Sequence, residues 1–212
     1  MLHFAQRAPA GEPEGLLILH HGRGTDERDL LPLADVFDPQ RRLQVITPRA
    51  PLPFGPGYRW YENVRVGHPD PPTFHASLDL LAELHDSLWE QYGVPPGRTL
   101  LGGFSMGAVM SYAMGLKGER PAPAGILAFS GFIPIVDGWS PALDRRQHLP
   151  VLIAHGRNDP VIGVEFGRRA RELLGGAGLP VDYRESGASH NIDPGDVPRT
   201  VEWIGAVLTP SS

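Results

Sequence analysis

The segment Gly103-Phe104-Ser105-Met106-Gly107 has residue types suited to nucleophilic chemistry. The apolar run 99–104 leads into the serine, and small residues from Gly107 to Met114 lead away from it. A G-x-S-x-G between a strand and a helix forms a tight turn that lifts the serine above the sheet edge. Glycine suits both flanks, because a side chain there would collide with the helix crossing close over the strand. A serine hydroxyl is a poor nucleophile at neutral pH, so a base must take its proton as it attacks. His190, in Ser186-Gly187-Ala188-Ser189-His190-Asn191-Ile192, fits that base. Asp159 fits the acid that orients it, four residues after His155 in a turn stiffened by Pro160. These groups would attack an acyl carbonyl, and His190 would then protonate the leaving alcohol.

Other residues compete for these roles. The chain has nine histidines. His20, His21 and His155 lie at strand ends, where local turn hydrogen bonding is their expected use, and His68, His75, His85 and His148 lie away from the expected edge. All seven precede Asp159, and His3 is terminal. Among rival acids, Asp182 falls inside a strand and Asp193 follows His190 too closely, which leaves Asp137, in a long loop after a strand, as the strongest. Ser130 lacks the flanking turn and reads as a strand-end residue lining the site.

A tetrahedral intermediate also needs preorganised N–H donors. The backbone N–H groups of Met106, just after the serine, and of Arg23, in the loop His21-Gly22-Arg23-Gly24, are the expected oxyanion hole. An ordinary strand-to-helix turn is the alternative reading of that loop. No G-x-x-x-x-G-K-[ST] follows it, which argues against phosphate binding. Adjacent His20 and His21 would point to opposite sides of a strand, which argues against metal. No metal and no cofactor are expected.

These residues must be positioned by regular elements. An edge strand is expected at 2–8, buried strands at 15–20, 43–47, 124–129 and 151–155, and a last strand at 181–184. Continuous apolar runs of this kind suit parallel strands covered on both faces. Helices are expected at 29–34, along the spacing of Leu78, Leu81, Leu84, Leu88 and Tyr92, at 164–174 with closure by Gly175-Gly176, and at 197–208. Alternating strands and helices indicate α/β architecture, a mostly parallel sheet with helices on both faces. Arg23, Ser105, Asp159 and His190 each follow a strand, at the sheet edge where such folds place their sites. The connection 48–72 is rich in proline and aromatics, and a loop that long inside a compact domain is usually functional.

Length and composition fit one domain spanning residues 1–212, with no linker or repeat. The net charge of −5 provides no basic field for nucleic acid. The chain has no cysteine, so disulfide and thiolate chemistry are excluded. No leader-like apolar region follows Met1, and no apolar run approaches the roughly 20 residues of a membrane span. A soluble cytoplasmic protein without integral membrane association is the expectation.

Taken in order, several segments resemble one family. They are His21-Gly22-Arg23-Gly24 with residues 26–34, Pro48-Arg49-Ala50-Pro51, Arg59-Trp60-Tyr61-Glu62, the serine pentapeptide, Phe129-Ser130-Gly131-Phe132 and His155-Gly156-Arg157-Asn158-Asp159-Pro160-Val161. The chain resembles the phospholipase/carboxylesterase branch of the α/β-hydrolases, which includes acyl-protein thioesterases. The order Ser, Asp, His is also that of α/β-hydrolases. The resemblance implies Ser105, Asp159 and His190 as the triad and a minimal α/β-hydrolase fold without a separate cap domain, in a family whose members are often homodimers. This chain departs from the family pattern at Met106, where glutamine is common, and at Ser189, where glycine is common.

The resulting expectation is a serine carboxylesterase acting on short- to medium-chain acyl esters through an acyl-enzyme. Its substrate is a small-molecule acyl ester or thioester, held in an apolar groove drawn from Phe54, Trp60, Tyr61, Phe132, Ile133 and Trp139. Packing of these aromatics onto the sheet is the alternative for each of them. Other functional readings are an acyl-protein or small-molecule thioesterase or lysophospholipase with the same triad, a peptidase, which ranks lower because amides have poorer leaving groups, and a non-catalytic binding module on the same fold.

Overall fold

Each apolar run becomes a strand because it can be covered on both faces at once. In the computed structural model, which describes residues 1–209, the elements run β1 (Phe4–Arg7), β2 (Gly15–His20), α1 (Leu33–Phe37), β3 (Leu43–Pro48), β4 (Leu52–Phe54), β5 (Gly57–Arg59), β6 (Asn63–Arg65) and β7 (His68–Pro69). They continue as α2 (Pro71–Tyr92), β8 (Thr99–Phe104), α3 (Met106–Gly115), β9 (Gly125–Phe129), β10 (Val151–Gly156), α4 (Val164–Gly176), β11 (Val181–Ser186) and α5 (Val197–Leu208). Seven strands form one sheet in the order β1-β3-β2-β8-β9-β10-β11, with β1 antiparallel to β3 and every other pair parallel.

Strand alternation divides the side chains between two helical layers. Leu16, Ile18 and Leu101 join the cluster under α2 and α3, while Ile126, Ala128, Val151 and Ile153 pack with α3 and with Ala170 and Leu174 of α4. Leu17, Leu19, Leu127, Phe129 and Leu152 face the other way, onto Ala34 and Phe37 of α1 and Ile204 of α5. The stripe Leu78, Leu81, Leu84 and Leu88 is buried core, as its spacing indicates. Asp70 caps the start of α2 by accepting from Thr73 N–H at 3.2 Å, two prolines occupy the first turn, and Gly93 ends the helix at φ +64°.

Three local expectations need correction. Residues 29–32 form turns, and α1 begins at Leu33: Asp26 Oδ1 accepts from Arg28 N–H at 2.8 Å and its carbonyl accepts from Asp29 N–H, which holds a tight turn where the helix was expected. Helix α4 runs through Gly175 and Gly176, and the left-handed residue lies beyond them at Gly178, φ +87°. The connection 48–72 is two short hairpins, β4–β5 and β6–β7, rather than an irregular loop.

After β2 the chain crosses to β3 on one side, then returns to place β8 on the other. That reversal opens a crevice between the ends of β2 and β8, where open α/β sheets bind ligands. Arg23 leaves the end of β2 and Ser105 the end of β8.

Candidate active site

Ser105 is held in a conformation most residues avoid, at φ 55° and ψ −119°. Its N–H donates to Phe129 O across the sheet at 2.9 Å, and its carbonyl accepts from Val109 N–H, so strand and helix fix the turn from both sides. The flanking glycines are required sterically. A Cβ on Gly107 would lie inside the His20 carbonyl oxygen and 2.6 Å from His21 O, and one on Gly103 would overlap the Gly107 backbone and lie 2.7 Å from Ala108 N.

Two loops bring the other groups to the serine. Arg157 N–H donates to Ser186 O, Asn158 N–H to Ala188 O and Asn158 Nδ2 to Gly187 O, lacing the turn after β10 to the segment after β11. His190 Nδ1 lies 2.7 Å from Asp159 Oδ2 and its Nε2 lies 2.9 Å from Ser105 Oγ. Asp159 Oδ1 is occupied by the N–H groups of Val161 and Ile162, at 2.8 and 2.9 Å. Burial alone would raise the Asp159 carboxyl, but the bond from His190 and these two N–H groups together hold it below its ordinary value. An ionised carboxylate only accepts, so Nδ1 of His190 carries the proton and Nε2 is free to accept from the serine. Phe104 packs against the imidazole with ring centroids 4.8 Å apart.

The rival groups are engaged elsewhere. Asp182 pairs with Arg199, Asp193 caps its own turn through Gly195 N–H, and Asp137 lines a cavity with His68 and Pro71 that includes neither Ser105 nor His190. His20 reaches across to Ser111 Oγ at 2.9 Å rather than serving a local turn. His155 is buried behind the acid: its Nε2–H donates to Ile162 O at 2.8 Å and lies 3.6 Å from Asp159 Oδ2.

Below the crevice, His21 organises the loop that follows β2. Its Nδ1–H donates to Gly22 O at 2.6 Å and its Nε2 accepts from Ala50 N–H at 3.0 Å, a pattern only the neutral ring can make. Gly24 N–H donates to Tyr58 O, and Tyr58 N–H to Thr25 O. Arg49 holds both oxygens of Glu27, at 2.5 and 2.6 Å, and this pairing drives the Glu27 carboxyl down to about 2. Among the described residues neither Arg23 N–H nor Met106 N–H has an acceptor in the chain, and both residues line a cavity of about 120 Å³ with Ser105.

A model of the phospholipase/carboxylesterase family matches residues 3–207. The chain belongs to the phospholipase/carboxylesterase family. It is 26% identical to acyl-protein thioesterase 1 of Emericella nidulans, over 91% of this chain and 90% of that one. Among solved structures it resembles esterase PE8, with 27% identity and a TM-score of 0.83 over 97% of this chain and 99% of that one. The Bacillus cereus carboxylesterase, at 23% identity, shares the fold with a TM-score of 0.84 over 98% and 95% of the two chains. This member of the phospholipase/carboxylesterase family is therefore a hydrolase with the α/β-hydrolase fold.

In this chain Tyr61 and Phe132 line the cavity at the serine, and Ile133 lines an adjoining groove. The other three aromatics expected in the acyl groove do not. Trp60 is fully buried and braces the loop after β2, with Nε1–H donating to His21 O at 2.9 Å. Trp139 Nε1–H donates to Ala113 O on α3, and Phe54 stacks under Arg23 and Arg59. Asn63, Val66, Val161 and Ile162 line the cavity without having been expected. The sequence held no periodic signal for the first two, since Asn63 lies in a three-residue strand and Val66 in the turn after it. Met106 turns its sulfur to accept from Trp60 N–H at 3.3 Å, so the thioether serves as acceptor there.

The histidines around the crevice make stability acid-sensitive. Burial lowers His20, with His85 and His21 adding to the effect; it lowers His21 against the bond to Gly22; and it brings His85 to about 3, with Arg120 adding. Below about 6.5 the unfolded chain takes up protons that the native fold refuses, so stability falls with pH by about 1.4 kcal/mol per unit for each such histidine. The loss continues to the lowered folded values. Glu27 and Asp159 act at lower pH, since their stabilisation is present above their unfolded pKa values and lost as pH falls through the depressed ones. The melting temperature is expected to drop steadily from pH 7 to pH 5, and His85→Phe should make that slope shallower. An identical slope in the variant would contradict this account.

Proposed function

We propose that this hydrolase is a serine carboxylesterase that cleaves short- to medium-chain acyl esters through an acyl-enzyme. The unbroken line Asp159 Oδ2, His190, Ser105 Oγ, with both links at 2.9 Å or less, carries the reading. His190 Nε2 takes the hydroxyl proton as Ser105 Oγ attacks the acyl carbonyl, and Asp159 stabilises the imidazolium. The oxyanion meets the free N–H groups of Arg23 and Met106. As the tetrahedral species collapses, His190 returns the proton to the leaving alcohol, and water repeats the sequence to release the acid. No metal or cofactor enters these steps.

The cavity of about 120 Å³ at the serine favours a short acyl group, and its junction with a groove of about 510 Å³ extends this to medium chains. Similarity to acyl-protein thioesterases supports a second substrate class, because thioesters react by the same steps. A fluorophosphonate probe should label Ser105, and p-nitrophenyl esters from acetate to palmitate should give highest kcat/KM at butyrate to octanoate. A maximum at palmitate would overturn the chain-length assignment, and equal hydrolysis by wild-type and Ser105→Ala protein would overturn the enzyme itself. Acyl-coenzyme A substrates of matched length, run in parallel, separate ester from thioester preference.

A further inference from the structure

The groove adjoining the serine cavity shares Val66 and Phe132 with it and extends between the β6–β7 hairpin, the loop after β9 and α4. Its walls are apolar, but its charged groups are all of one sign. Arg65 comes from the hairpin and Arg169 from α4, and among the described residues no Asp or Glu lines the groove. Neither arginine belongs to an ion pair among the described residues.

One of the two cations is held over a ring, and the hairpin that carries the other packs against that same ring. Arg169 lies over Phe166 with its guanidinium carbon 4.3 Å from the ring centre, and its Nε–H donates to Glu165 O at 3.3 Å. Those contacts fix the guanidinium plane and leave its terminal N–H groups unspent. The hairpin approaches the same ring, since a Cβ on Gly67 would lie 3.2 Å from Phe166. Two acids lie close by without lining the groove: Glu165, whose carboxylate folds against Gly163, and Asp137, in a neighbouring cavity that shares Arg65, His68 and Ile135 with the groove. None of the groove's lining comes from 186–192, the segment carrying the imidazole that protonates the leaving alcohol. On the esterase reading above, the groove takes the acyl half of a substrate.

We propose that this groove binds acyl chains ending in a carboxylate, such as monoesters of dicarboxylic acids, with Arg65 and Arg169 receiving the distal carboxylate. The apolar walls take the methylene chain, and the planar guanidinium suits a carboxylate's two oxygens. This rests on the esterase reading above but makes a separate demand on the protein.

The test compares kcat/KM for the mono-p-nitrophenyl esters of adipate and suberate with those of hexanoate and octanoate, each pair matched in length. The carboxylate-to-methyl ratio in wild-type protein should exceed that of the Arg65→Gln, Arg169→Gln double variant by about ten-fold, and added salt should narrow the difference. Equal ratios in wild type and double variant overturn the proposal, while continued hydrolysis of octanoate leaves the esterase reading standing. Independently of turnover, suberate titrated calorimetrically into Ser105→Ala protein should bind about ten-fold more weakly when both arginines are also replaced. No binding, or the same binding with and without them, likewise overturns it.

Discussion

Ser105→Ala is expected to lower kcat/KM for p-nitrophenyl butyrate by about 10⁴-fold or more while leaving the fold intact. The hydroxyl's hydrogen-bond partner is His190, whose ring is also held by Asp159 and Phe104, so its removal frees no other element. Circular dichroism and melting should match wild type, which separates lost chemistry from lost structure. Asp159→Asn should be comparably severe, about 10⁴-fold, for a reason visible in the hydrogen bonds. The side-chain oxygen would stay with the N–H groups of Val161 and Ile162, turning an NH₂ toward His190 Nδ1. The imidazole proton would then move to Nε2, and the ring could no longer accept from the serine. If Asp159→Asn retained activity within ten-fold of wild type, His190 would have to be oriented by something other than Asp159.

The largest loss of stability is expected from Gly107→Ala, on the order of 4 kcal/mol or more. The new methyl would meet the carbonyl oxygens of both His20 and His21, backbone atoms that cannot rotate away. Relief requires α3 to lift from the end of β2, and that movement also separates Met106 from Arg23. Activity should therefore fall in whatever fraction of the variant still folds. Gly97→Ala is the matched control, because a Cβ there has nothing within 4 Å, and it should shift the urea midpoint only slightly. Equal midpoints for the two variants would show that the close crossing tolerates side chains.

Residue order and strand ends made the line from Ser105 to His190 legible before any coordinates. Each group follows a strand whose continuous apolar run is hard to mistake, and parallel strands bring their carboxyl ends to one rim. The cavity walls were not legible in the same way. Trp60 and Tyr61 are neighbours of similar character, yet the first supports the loop after β2 and the second borders the cavity. Apolar content signals burial without saying whether the buried face meets a ligand or another part of the chain. The hairpins between residues 52 and 69 were missed because strands of two or three residues are too short to show a period. The start of α1 shifted because Asp26 holds a tight turn ahead of it, its side chain taking the Arg28 N–H and its carbonyl the Asp29 N–H.

Ile135 N–H donates to Gly67 O at 3.0 Å, a hydrogen bond that ties the β6–β7 hairpin to the loop after β9. These segments lie more than sixty positions apart in the chain yet share one width, that of the passage between them. A substitution that displaces either wall therefore resets the gap for both. Anyone re-engineering chain-length preference should vary the two stretches as a linked pair, since libraries confined to one would test each replacement against a mismatched counterpart.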